Sequence, residues 1–316
     1  MKQKKTHLAV FAVALAALVT FVTLFARAGQ GQSQAEDTSA ATPALKPLAL
    51  VEKRTAVAAA EKKDSSLFAE ASARNTALKY DLSWAFGGKQ QRGWYLYAPL
   101  ISRMLGADGE EAAGADFAAS LSRWQRTAGL SPSGVLDDET LYRMVSTWQG
   151  SRLKDKTYAT PDRLLQAPTS DFYDPERPDA LRQVERETYA AYKRMIAAAA
   201  ADPSLGLKVT AAGELAPEEK FLKIVSSFRS REHQAALRAQ SPGSGRAGLA
   251  VNSPHFTGRA LDLYVGGEPV ETKDSNRALQ VQTPAYRWLV RNAERFGFRP
   301  YYYEPWHWEY VGTGVN

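Results

Sequence analysis

Two short stretches, each carrying a histidine, constrain this chain more than anything else in it: Ser253-Pro254-His255-Phe256-Thr257-Gly258-Arg259-Ala260-Leu261-Asp262 and Glu304-Pro305-Trp306-His307-Trp308-Glu309-Tyr310. The chain has four histidines, and His7 belongs to the N-terminal segment 1–28, so two of the other three stand here. Residues 260–265 alternate as a strand does, with Leu261, Leu263 and Val265 on one face and Asp262 and Tyr264 on the other. Gly258 permits the bend that returns His255 to the side of Asp262. In residues 306–311, Trp306, Trp308 and Tyr310 share one face while His307 and Glu309 share the opposite one. Polar groups on a strand of aromatics are costly when buried unless they find partners, and a metal ion supplies one.

Two neutral imidazoles and one carboxylate leave a tetrahedral zinc ion with an open fourth position, the pattern of a catalytic site. His255, Asp262 and His307 are therefore the candidate ligands. Zinc so held lowers the pKa of water to about 7 and polarises a carbonyl, but a general base is still needed. Glu304 lies three residues before His307, close enough to take that proton. A third motif, Ser226-Ser227-Phe228-Arg229-Ser230…Gln234, places Arg229 at a strand-to-helix junction with Ser230 as the helix cap. Its guanidinium suits an oxyanion or a substrate carboxylate. His233, next to Gln234, reads as a structural residue on a helix surface. The Tyr301-Tyr302-Tyr303 run reads as packing, and Glu309 reads equally well as a support for a ligand or as a solvent-facing charge.

In these motifs the sequence resembles a known family. Ser253-x-His255-x-x-Gly258-x-Ala260-x-Asp262, then Glu304-x-Trp306-His307-x-Glu309-Tyr310, is similar to the D-alanyl-D-alanine carboxypeptidases and dipeptidases of the VanY type. These share a zinc-peptidase fold with lysostaphin-like endopeptidases and the hedgehog signalling domain. Ser227-Phe228-Arg229-Ser230…Gln234 resembles that family's Gly-Tyr-Arg-Ser…Gln segment, with Ser227 and Phe228 replacing Gly and Tyr. The resemblance spans about residues 175–312. It implies zinc on His255, Asp262 and His307, Glu304 as base, Arg229 steadying the tetrahedral intermediate, and Ser253 and Gln234 in contact with substrate. The substrate it implies is a peptidoglycan peptide losing its terminal D-alanine. An endopeptidase cutting within a stem or cross-bridge, and a wall-binding protein without turnover, remain alternatives. Departures from the pattern are a polar stretch at 211–220 and a Gly/Ser-rich loop at 241–251, either of which could flank the cleft.

The rest of the chain fits an exported protein. Lys2, Lys4 and Lys5 precede an uncharged apolar run of 19 residues, 8–26, and Ala26-Arg27-Ala28 has the small-x-small form of a cleavage site. A cleaved signal peptide and a retained membrane anchor both fit residues 1–28, and both carry the remainder out of the cytoplasm to a bacterial periplasm or cell envelope. Lys and Arg number 40 against 34 acids; removing Lys2, Lys4, Lys5 and Arg27 leaves 36 against 34, a near-neutral body. Nucleic acid is thus not an expected partner. Cysteine is absent, which excludes disulfides and thiolate ligands.

Residues 29–80 read as a tether and 81–155 as a small domain of three helices. The order Phe117…Trp124-Gln125…Gly129-Leu130…Gly134-Val135-Leu136…Thr140-Leu141 in that domain resembles the peptidoglycan-binding domain attached to wall hydrolases; a helical spacer is the alternative. Asp116 and Asp137 are expected helix caps. A helix is expected over 178–200, strand-like runs at 207–210 and 223–228, and a helix capped by Thr283 with Pro284 at its first position and Gly297 past its end. Residues 165–316 thus read as an α+β domain, a small antiparallel sheet with flanking helices.

Overall fold

The computed structural model describes residues 68–107, 114–240 and 252–313. The N-terminal apolar run, the tether as far as residue 67 and the loop 241–251 lie outside these residues. Among the described residues no helix is long and apolar enough to cross a membrane.

Residues 68–81 are helical (α1), in the stretch read as the end of the tether. A hairpin follows, β1 (Ser83–Phe86) with β2 (Lys89–Arg92), which the three-helix reading does not contain. Its signal is the pair Gly87-Gly88, both at positive φ, as a two-residue hairpin turn demands. The three expected helices are α2 (Ala98–Met104), α3 (Ala115–Thr127) and α4 (Asp138–Gly150). Asp137 caps α4 by accepting the Thr140 N–H at 2.8 Å. Asp116 is not a cap: Gly114 holds that position and Asp116 lies in the first turn of α3, where its charge still favours the helix dipole. Phe117, Leu121, Leu141, Val145 and Trp148 are buried. They belong to one apolar cluster that continues into Leu261, Phe298 and Trp308.

Two short strands, β3 (Leu164–Gln166) and β4 (Gln183–Glu185), pair antiparallel. The helix expected from residue 178 begins only at Arg186 (α5, Arg186–Ala200). Pairing with β3 keeps 183–185 extended, and the Glu185 carboxylate then caps the new helix start through the Thr188 N–H at 2.8 Å. The run at 207–210 makes only a single bridge, Val209 with Leu215.

The remaining elements are β5 (Ile224–Ser226), α6 (Arg231–Gln240), β6 (Ala260–Leu263), α7 (Asp274–Gln282), α8 (Pro284–Asn292), β7 (Phe298–Tyr301) and β8 (Glu304–Tyr310). The strands form an antiparallel sheet in the order β5-β6-β8-β7. Thr283 caps α8 at Tyr286 N–H, and a 3-10 turn, Ala293–Phe296, carries the chain to Gly297 at positive φ. Ala285, Trp288, Leu289 and Ala293 are buried as the apolar face of this unit. The architecture is α+β, with helices flanking small antiparallel sheets.

Candidate active site

Strand register builds the site. Asp262 stands directly opposite His307 across β6–β8 and opposite Ser226 across β5–β6. Residues paired in this way project from the same face of a sheet. Glu309, two residues beyond His307, is on that face too. The other face of β8 belongs to the core, where Trp306, Trp308 and Tyr310 are buried.

His255 arrives from the 3-10 turn Pro254–Thr257. The Ser253 hydroxyl accepts the His255 N–H at 3.3 Å, and the Thr257 hydroxyl donates to the Pro254 carbonyl at 2.7 Å. Gly258 closes the turn at φ +67°, where a Cβ would come within 2.9 Å of the Glu185 nitrogen. Only glycine accepts both that backbone conformation and that approach.

Each imidazole has one nitrogen committed to an acceptor and one turned inwards. His255 Nδ1–H donates to the Ser227 carbonyl at 2.7 Å. His307 Nε2–H donates to Glu309 Oε1 at 3.2 Å. The inward nitrogens, His255 Nε2 and His307 Nδ1, lie 3.3 Å and 2.9 Å from the same oxygen, Asp262 Oδ1. The second oxygen, Oδ2, takes a hydrogen bond from Arg229 Nη2 at 2.6 Å.

One donor atom from each of His255, Asp262 and His307 lies within 4.8 Å of the other two, and all three residues are buried. Donor atoms around a tetrahedral zinc, at about 2.0–2.2 Å from the ion, stand about 3.3–3.6 Å apart. The two separations from Asp262 Oδ1, 3.3 Å and 2.9 Å, are close to that spacing. Anchoring of the outer nitrogens is what a metal-ligating histidine requires of its surroundings. The residues fit a divalent metal ion.

Electrostatics follow from burial and from these contacts. Burial pushes both imidazoles down, and His255, further opposed by Arg229, falls to about 4. In His307 the hydrogen bonds to Asp262 and Glu309 outweigh burial and raise it to about 9. Asp262 is held well below the usual carboxylate range, because His255, His307 and Arg229 together overcome its burial. Glu304 behaves oppositely. Burial, reinforced by the charge of Asp262, lifts it to about 7 against the pull of His307 and Arg229.

Arg229 is fixed on three sides, by Ser226 Oγ at 2.9 Å, Gln234 Oε1 at 3.4 Å and Asp262. Ser230 caps α6 as expected, accepting the His233 N–H at 3.1 Å. His233 is half-buried and outside the ligand group. Strict alternation along β8 would put Glu304 on the core face with Trp306. A register shift, with Pro300 opposite Trp308 but Tyr301 opposite Glu304, breaks that alternation. Glu309, left open by the sequence, is buried and serves His307. Its visible signal was position, two residues from a ligand on one strand. Ser227, which holds His255 through its main-chain carbonyl, carries no side-chain signal at all.

His255, Asp262 and His307 form a buried group that could bind a metal ion, with the buried Glu304 carboxyl in electrostatic reach of Asp262 and His307. Residues 181–313 match the family model VanY, D-alanyl-D-alanine carboxypeptidase, and the chain carries a VanY domain over that stretch. The match takes in all three candidate ligands, Glu304 and Arg229, and stops short of the helical region. No curated protein matches the chain.

Proposed function

We propose that this protein is a zinc-dependent D,D-carboxypeptidase that removes the terminal D-alanine from peptidoglycan stem peptides. The observation that carries the reading is the convergence of His255 Nε2 and His307 Nδ1 on Asp262 Oδ1, with Glu304 buried nearby in electrostatic reach of both Asp262 and His307.

Zinc held by His255, Asp262 and His307 supplies Lewis acidity, for the carbonyl under attack and for water. Glu304 takes the proton from the attacking water and returns it to the departing amine. A carboxyl near 7 can do both, since it neither holds nor releases the proton too firmly. Arg229 presents a fixed positive charge to the oxyanion or to the substrate carboxylate. Its bond to Oδ2 also leaves Oδ1 of Asp262 as the oxygen available to the centre. Gln234 steadies Arg229 and with Ser253 is assigned to substrate contact, although the Ser253 hydroxyl already caps the His255 turn.

Outside the peptidase region the reading rests on sequence. Residues 81–155 are proposed to bind cell wall, and residues 1–28 to export the chain or anchor it in the membrane. The enzyme would then act in the cell envelope.

The test is digestion of stem pentapeptides and isolated peptidoglycan by zinc-loaded protein, followed by mass analysis. Loss of one C-terminal alanine is expected. Products cut within a stem or cross-bridge would make the protein an endopeptidase, and no product from any wall peptide would sink the enzyme reading in favour of a wall-binding protein.

A further inference from the structure

The chain between α4 and β3 lies outside the VanY match, yet it touches both segments that carry the histidines. At its start the Arg152 guanidinium pairs with Glu309 Oε1, the same oxygen that accepts from His307 Nε2. The Leu153 N–H donates to the other oxygen, Oε2, at 2.9 Å. The Arg152 guanidinium also lies 4.0 Å over the Tyr301 ring, which meets the His307 ring edge-on at 6.0 Å. Six residues after Leu153, the Ala159 N–H donates to the Phe256 carbonyl at 2.8 Å, beside His255. The Tyr158 ring sits against Phe228 at 5.5 Å and Phe256 at 6.0 Å. One strap therefore reaches from the support of His307 to the turn of His255.

We propose that Arg152 is a positioning residue for the metal centre, holding Glu309 so that His307 Nδ1 stays aimed at the site. The inference rests on the metal reading above. Its physical basis is the cost of burying a carboxylate: the Glu309 side chain is 1% exposed, and among the described residues Arg152, Leu153 N–H and His307 compensate its charge. Without Arg152 the carboxylate turns towards water, and His307 loses the acceptor that fixes its tautomer and ring angle. The stacking on Tyr301 closes one side of that ring, so the substitution also loosens the wall behind the ligand. A guanidinium suits this place better than an ammonium, because its plane stacks on a ring while its edge meets a carboxylate.

The experiment measures zinc affinity by chelator competition on the full-length protein, with thermal unfolding of the metal-free forms alongside. Arg152→Ala is expected to weaken zinc binding by about 10–100-fold, the usual loss when a group supporting a metal ligand is removed. On stem peptide kcat should fall and KM stay nearly unchanged. Arg152→Lys, which keeps charge but loses the planar contact, should fall between Arg152→Ala and wild type. A folded Arg152→Ala protein with wild-type zinc affinity overturns the inference. Should Arg152→Ala fail to fold, wild-type affinity in Arg152→Lys overturns it instead. If the wild type itself binds no zinc, the metal reading goes and this inference goes with it.

Discussion

Two of the polar clusters buried among the described residues are of opposite character. In the helical region the cluster is neutral. Gln125 donates to the Val135 carbonyl at 2.9 Å and to Thr140 Oγ1 at 3.0 Å, and accepts the Gly134 N–H at 2.8 Å. Asn75 completes it, donating to the Gly134 carbonyl and accepting the Leu136 N–H at 2.7 Å. Both amides are fully buried and pin the turn at 133–136. In the sheet region the cluster is charged: Asp262, Glu304, Glu309, Arg229, His255 and His307 are all buried around one point. Satisfied amides rigidify a fold at modest cost. Buried charges bring a desolvation penalty that their mutual attraction only partly offsets. On the proposed function, the first cluster serves folding, while the second carries a desolvation cost for the chemistry it would permit.

The hardest test of this contrast is Glu304→Gln, which removes the charge and keeps the shape. Turnover of stem peptide should fall by about 10²–10⁴-fold, the typical loss of a general base. Zinc content should be unchanged, since Glu304 is not among the ligands. In the wild type, kcat/KM should rise with pH as Glu304 loses its proton, with a midpoint at or below about 7, because a nearby dication favours the carboxylate. A variant that still cleaves normally, or a rate flat from pH 5 to 8, removes Glu304 from the mechanism.

The same substitution should stabilise the metal-free protein at high pH. Glu304 has an ordinary value of 4.5 and is lifted to about 7 when folded. Below 4.5 both folded and unfolded chains hold the proton, and the residue is neutral to stability. Between 4.5 and 7 the unfolded chain gives it up first, so stability declines as pH rises. Above 7 the whole penalty is present, about 3 kcal/mol for a shift of this size. Glu304→Gln should therefore melt later than wild type at pH 8 and together with it near pH 4. Equal melting at both values would mean that the charge of Glu304 costs the fold nothing.

The two clusters also differ in how far the sequence disclosed them. Asp262 and His307 could be read because alternation along two strands set them apart from apolar neighbours, His255 because Gly258 lets the chain bend back towards Asp262, and Glu304 because it stands three residues before His307. The support of His255 could not, since a main-chain carbonyl at Ser227 has no residue type to announce it. Arg152 is equally silent: it stands 157 residues from Glu309 in the chain, and no local pattern joins them. The helix expected from residue 178 failed for a related reason. Pairing of β4 with β3 is a tertiary event, and it overrode a helical periodicity that the residues do possess. Caps act locally, so Asp137 in the helical region and Thr283 in the sheet region were placed correctly from sequence, whereas Asp116 falls two residues inside its helix.

The smallest effect decides whether the two regions are energetically separate. Asp137→Ala removes the cap of α4, whose loss costs about 1 kcal/mol. The capped group is Thr140 N–H, and the Thr140 hydroxyl in turn accepts from Gln125, so the damage should spread into the amide cluster. It should stop there. α4 ends at Gly150, two residues before Arg152, and the contacts of Arg152 and Leu153 with Glu309 are made by the strap itself rather than by the helix start. Chemical denaturation should thus show a small loss of stability, while zinc affinity and kcat/KM stay at wild-type values. A fall in zinc affinity in step with stability would show that α4 transmits strain through Arg152 to His307, and the division between a fold-keeping cluster and a chemical one would have to be abandoned.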